Sequence, residues 1–230
     1  MKPKHLIATA VLVAGSLLGL KPAQATPVTV VWDFTPATST LFGTTNTYTS
    51  TSSPALSPAE SILASGFAGT TPEDLYGKNT GAGEQGLGLN NDPSGDHEVT
   101  PGSFIQLNLS QLSAPPLLSL SLSLQTGSTT SPDEWAVYGT NTPGTLAGAT
   151  LIDTGVNDNL ISSLPGSILG TYTYLDFTAL SGNVLLAEID DTFNVPSSVP
   201  EPAGLAIFAA GLGGLFFFRR RIRKGFDAAV

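Results

Sequence analysis

Seven consecutive residues constrain this chain more than any others: Leu118-Ser119-Leu120-Ser121-Leu122-Ser123-Leu124, in which every second side chain is apolar. A period of two puts the leucines on one face of an extended strand and the serines on the other, and a helix cannot sort them so. Other runs agree. Val28-Thr29-Val30-Val31-Trp32-Asp33-Phe34 is β-branched and aromatic, and Phe104-Ile105-Gln106-Leu107-Asn108-Leu109 places Ile105, Leu107 and Leu109 on one face. Trp135–Tyr138, Ala149–Ile152, Thr171–Phe177 and Asn183–Ile189 follow, separated by Gly, Pro, Asn and Asp clusters. Turn signals this frequent, without a long amphipathic helix, predict an all-β fold: an antiparallel β-sandwich of jelly-roll-like type.

Two stretches between these runs read differently. From Thr35 to Pro58, 13 of 24 residues are Ser or Thr, a composition that buries little and predicts a long Ser/Thr-rich loop at 35–58, open to glycosylation, with a polar strand as the alternative. Pro58–Phe67 (PAESILASGF) is compatible with one short helix, and a Gly-rich stretch runs on to Gly88.

The ends are of another kind. Lys2 and Lys4 precede the 15-residue apolar run Leu6–Leu20, and Ala23-Gln24-Ala25 fits the small-x-small cleavage rule, so residues 1–25 read as a signal peptide followed by an exported domain over 26–195. At the other end, Ala203–Phe218 is 16 uncharged residues, about 24 Å long as a helix and short for a bilayer core of about 30 Å. Directly after it come Arg219, Arg220, Arg221, Arg223 and Lys224, a cluster that belongs on the cytoplasmic side. The two ends predict one topology: a single C-terminal transmembrane helix at the inner membrane, with the domain outside.

With the ends set aside, charge becomes decisive. Between Thr26 and Pro202 there are 17 acids and one base, Lys78, so the segment carries 1 − 17 = −16. Nucleic acid is excluded as a partner, because phosphate affinity is built from Lys and Arg contacts. Anionic membrane surfaces repel such a domain. No cysteine is present, so neither disulfides nor thiolate chemistry contribute.

Val199-Pro200-Glu201-Pro202, then a glycine-containing apolar helix, then an arginine cluster, resembles the PEP-CTERM sorting signal. The resemblance implies a substrate of exosortase, an integral-membrane, transpeptidase-like enzyme of Gram-negative bacteria that make exopolysaccharide. Pro200, Glu201 and Pro202 then form the recognition motif, Ala203–Phe218 the transient anchor and Arg219–Lys224 the stop signal of a tail spanning 196–230. Gly225–Val230 continues beyond the commonest form of that tail. More weakly, Asp74–Lys78, Gly86–Leu89 and Phe104–Leu107 resemble an exported β-domain found on proteins of this kind. The implied route uses the general secretion machinery, an inner-membrane stage with the domain periplasmic, and release to the cell surface or beyond, in association with exopolysaccharide.

Signals for chemistry in the domain are sparse. His97 lies between Asp96 and Glu98 in a turn-rich stretch and reads as a solvated loop histidine; no Gly-x-Ser-x-Gly elbow occurs. Nothing selects two of the 17 acids as a glycosidase pair. The expectation is a non-enzymatic matrix or surface protein, with a secreted hydrolase as a distant alternative. Asp92, Asp96 and Glu98, within the oxygen-rich stretch Asn90–Glu98, suit calcium, although their spacing is not that of an EF-hand. Glu188, Asp190 and Asp191 form a weaker second set. The rival class is a carbohydrate-binding module stacking sugars on Trp32, Trp135, Tyr138, Tyr172 and Tyr174, a reading that requires Trp135 to be exposed.

Overall fold

The computed structural model describes residues 26–53, 59–81, 83–112, 119–126, 133–156 and 161–195. The expected signal peptide (1–25), the tail with its expected transmembrane helix (196–230) and Leu118 of the alternating run lie outside the described residues. Among the described residues no helix is long and apolar enough to cross a membrane.

The described residues form β1 (Thr26–Asp33), β2 (Thr40–Leu41), β3 (Thr45–Thr49), β4 (Thr51–Ser53), β5 (Ser61–Ala68), β6 (Thr71–Glu73), β7 (Leu75–Asn79) and β8 (Gln85–Leu89). Then come β9 (Ser103–Asn108), β10 (Ser119–Thr126), β11 (Glu134–Thr140), β12 (Thr150–Val156), β13 (Ile161–Leu164), β14 (Tyr174–Ser181) and β15 (Leu186–Val195). Short 3-10 turns at Leu109–Gln111 and Gly166–Ile168 are the described helical elements.

The strands form two antiparallel sheets. Sheet A runs β13-β10-β15-β8-β7-β2, with β1 pairing both β15 and β4. Sheet B runs β12-β11-β14-β9-β5-β3, with β6 on β5. Both sheets feed one apolar cluster: Val28, Val30 and Trp32 from β1 and Leu186 and Ile189 from β15 meet Ile62, Ala64, Ile105, Leu107, Trp135, Val137, Leu175 and Phe177. Each such side chain contributes roughly 1.5–3 kcal/mol on burial. Phe34 extends the cluster edge-on against Tyr48, with ring centroids 4.6 Å apart.

Sheet B alternates as the sequence predicts. In β14, Leu175, Phe177 and Ala179 enter the core, so Asp176 and Thr178 face outward; in β9, Ile105 and Leu107 point inward and Phe104 and Gln106 outward. The outward residues are nevertheless buried: Phe67 stacks on Phe104, Thr178 donates to the Ser103 carbonyl, and the 141–149 loop meets Gln106, where Gly144 N–H donates to Oε1 at 3.0 Å.

Two local expectations are corrected. The 35–58 segment is not one long loop, since β2, β3 and β4 fall within it. Thr45–Thr49 pairs with Ser61–Ser65 and keeps its threonines exposed, so this strand is held by backbone bonds, Thr β-branching and the one ring, Tyr48, that it packs against the core. Within the Pro58–Phe67 stretch the described residues, 59–67, are not helical: Ile62, Ala64 and Gly66 are buried alternately in β5, which is paired on both sides by β3 and β9. The Gly-rich stretch holds β7 and β8, because the backbone there is too crowded for side chains. A Cβ on Gly88 would collide with the His97 carbonyl oxygen, and one on Gly86 would sit 2.7 Å from the Leu186 carbonyl oxygen.

Candidate functional site

The acidic loop after β8 is organised by one carboxylate. Asp92 Oδ1 accepts from Ser94 N–H and Ser94 Oγ, both at 2.7 Å, and Oδ2 accepts from the Asp96 and Glu98 N–H groups at 2.9 and 3.3 Å. Burial works to raise the Asp92 pKa, but the hydrogen bonds from Ser94, Glu98 and Asp96 outweigh it and hold the group below its ordinary 3.8. Pro93 and Gly95 complete a turn that such an Asx arrangement favours. Asp96 itself is exposed. The three sequence candidates therefore diverge: Asp92 turns into its own loop, Asp96 outward, and Glu98 toward β7.

There Glu98 meets the domain's single cation. Lys78 Nζ lies 2.5 Å from Glu98 Oε1 and 2.8 Å from Glu84 Oε2, with Lys78 8% and Glu98 3% exposed. Burial works to lower the Lys78 pKa, but the hydrogen bonds and charges of the two glutamates outweigh it and the net direction is upward. Burial raises Glu98 against the pull of Lys78. The signal that could have located this pair was a lone lysine amid 17 acids, since a cation so outnumbered has partners in every direction.

His97, by contrast, is half-buried. Its φ of 62° is the one described positive value at a non-glycine residue, its Nδ1 is 2.9 Å from the Asn90 carbonyl oxygen, and its ring stacks on Tyr76 at 4.1 Å. The backbone is held there by Asp92 on one side and Gly88 on the other.

Glu188, Asp190 and Asp191 follow one another along β15, so Asp191 points to the opposite face from the other two. Burial, then the charge and hydrogen bond of Asp190, then the charge of Asp33 push Glu188 up to about 7. Among the described residues, no group of three or more His, Cys, Asp or Glu is gathered so as to hold a metal ion.

The aromatic candidates divide. Trp32 and Trp135 are 0% and 2% exposed, both in the core, and the Trp135 ring lies on Gly155 across the β11–β12 ladder. The sugar-stacking reading thereby loses its best residue. Tyr172 packs on Gly139 against the core, while Tyr138 and Tyr174 are half-buried. An uncharged cleft of about 250 Å³ borders Tyr172, Asn141 and Leu112. Its polar groups serve one another: Asn141 Oδ1 accepts from the Thr173 N–H and hydroxyl at 2.8 and 2.9 Å.

Sequence reasoning missed Asp176, which is 0% exposed on β14. Gln106 Nε2 donates to its Oδ1 at 2.8 Å, and Oδ2 has no partner. Burial, opposed by the Gln106 hydrogen bond, pushes its pKa up to about 7. No local pattern marks it, since Tyr174-Leu175-Asp176-Phe177 reads as an ordinary strand with a wet face.

Comparison with known proteins bears on the tail. The family model of the PEP-CTERM protein-sorting motif matches residues 198–221, which span Val199–Pro202, the apolar run and the first three arginines. No curated protein and no solved structure matches the chain. The matched motif indicates an exported protein sorted by exosortase, with processing associated with the membrane. On that motif, in that order, the chain is a PEP-CTERM domain-containing protein.

Proposed function

We infer that the chain is a non-enzymatic surface or matrix protein: an acidic β-sandwich of jelly-roll-like type, carried out by the general secretion machinery, held at the inner membrane by its tail with the domain periplasmic, and released by exosortase. It then resides at the cell surface or beyond, among exopolysaccharide. One observation carries this reading, the sorting motif at 198–221 attached to a domain, 26–195, of charge 1 − 16 = −15. The burial of Lys78 between two glutamates adds to it, because the exterior is left without a described cation and stays soluble and self-repelling. Released, such a domain associates with hydrated neutral polymer through hydroxyl-rich surface, of which Thr45, Thr47 and Thr49 on β3 are the most regular array.

The test is intact-mass analysis of the extracellular protein beside the membrane fraction. A secreted species beginning at Thr26 and ending near Pro202 supports sorting with release. A secreted species that retains Arg219–Val230 refutes it and leaves the tail as a plain anchor.

A further inference from the structure

The 141–149 segment between β11 and β12 (NTPGTLAGA) carries no charge and lies on the outward face of sheet B. Its first residue, Asn141, is held by Thr171 and Thr173, and two contacts fasten its middle to the face. Gly144 N–H donates to Gln106 Oε1 at 3.0 Å, and the Gly144 backbone lies against the Phe67 ring, which stacks on Phe104 with centroids 5.0 Å apart. Gln106 presents its carbonyl to Gly144 because its amide is already engaged: Nε2 donates to Asp176 Oδ1 at 2.8 Å. The fastening is therefore a chain of three groups, Gly144–Gln106–Asp176, that ends in a fully buried carboxyl whose second oxygen has no partner.

What faces that carboxyl decides its charge. Gln106 lies opposite on β9 and Tyr138 opposite on β11; Tyr174 and Thr178 flank it on its own strand, and the uncharged 141–149 segment reaches this face where Gly144 meets Gln106. None of these is a cation, and Lys78 is engaged with Glu84 and Glu98. A carboxylate enclosed without a counter-charge is strongly disfavoured, whereas the neutral acid leaves only one unsatisfied hydroxyl.

We propose that the 141–149 segment is a strap that acid fastens and rising pH loosens, with the Asp176 carboxyl as its latch. Closed, the strap keeps Asp176 from water and burial holds the proton on, consistent with a pKa pushed up to about 7; opened, the carboxyl is wetted and returns toward its ordinary 3.8. The closed form binds the proton more tightly. The open fraction consequently rises by up to about tenfold per pH unit between about 4 and about 7, then levels off. Opening uncovers Phe67 and the outward face around Gln106.

The test is hydrogen exchange of the full chain in detergent, read by mass spectrometry on peptides covering 141–149 and corrected for the intrinsic pH dependence of amide exchange. Protection of 141–149 is expected to fall across pH 4 to 7 by a larger factor than that of β9 and β14, and this excess is expected to vanish in Asp176→Asn, which keeps the acceptor for Gln106. Flat protection in the wild type overturns the proposal. So does a uniform loss that includes β9 and β14, which marks whole-domain destabilisation through Glu188, and so does an excess that persists in Asp176→Asn. If the variant does not fold, carbon-13 titration of the wild-type Asp176 carboxyl decides: a midpoint near 7 supports the latch, and one below 5 overturns it.

Discussion

Replacing Lys78 by methionine keeps much of the length of its stem and deletes its charge, which isolates what the ammonium does for Glu98. At an effective dielectric of about 20, each carboxylate at 2.5 to 2.8 Å interacts with it by about 6 kcal/mol before desolvation. The net effect is smaller, because burying the ions costs several kcal/mol each. The substitution itself is more severe than the net worth of the pair, since Glu98, 3% exposed, is left as an unpaired buried charge. The expected loss is about 3–5 kcal/mol. For a domain of this size it lowers the melting temperature by roughly 6–20 °C. Thermal unfolding followed by circular dichroism measures it, and Lys78→Met combined with Glu98→Gln gives the companion value. The double variant is expected to recover a large part of the loss, because the neutral amide that replaces the Glu98 carboxylate requires no counter-charge. A single-variant loss below about 1 kcal/mol, or a double variant whose losses simply add, refutes the assignment of Lys78 as the partner that keeps Glu98 charged and buried.

Three further outcomes are expected. Asp176, Glu188 and Glu60 all have raised pKa values, so each favours the folded state most at low pH and progressively less as pH rises, over about 4 to about 7 for Asp176 and Glu188, with Asp176 alone changing by up to about 4 kcal/mol. Asp92, held below 3.8, works in the opposite sense and loses its contribution only below that pH, so urea midpoints should peak near pH 4 to 5; a maximum above pH 7 contradicts this. Gly88→Ala drives a Cβ into the His97 carbonyl, which is backbone and cannot swing aside, and should cost about 3 kcal/mol in chemical denaturation. Excess calcium should leave the melting temperature unchanged, because Asp92, Asp96 and Glu98 are turned to three different tasks; a rise of several degrees shows that the loop rearranges around the ion.

Legibility in the sequence followed the reach of the forces involved. Strands β1, β9, β11 and β15 could be read because Val28, Val30 and Trp32, or Ile105 and Leu107, declare a buried face within a few residues. Strands β3 and β5 could not. Thr45–Thr49 has no apolar face, and Ser61–Ala68 has helix-compatible residues, so both owe their form to partners elsewhere, β5 to Phe104–Asn108 some forty residues on. The sorting motif is a local string and was legible in full. The charges inside the domain were not: Lys78 meets Glu98 across 20 positions, and Asp176 meets Gln106 across 70. The tryptophans stand between these cases, because their spacing fits a strand whether it faces core or solvent, and only the packing put both inside.

The pairing of β1 with β15 has a consequence for how the domain is made. β15 lies within sheet A, with β10 along one side and β8 and β1 along the other, and the side chains of Thr29 and Thr192 meet at 3.1 Å across a separation of 163 residues. A chain emerging from its N-terminus therefore holds β1 with only the short β4 beside it until Leu186–Val195 arrives, and truncation before Leu186 removes the middle of the sheet rather than its edge. Closing so long a loop makes folding slow. The residues that complete the sheet directly precede the sorting tail, so this domain cannot finish folding much before its address has been delivered.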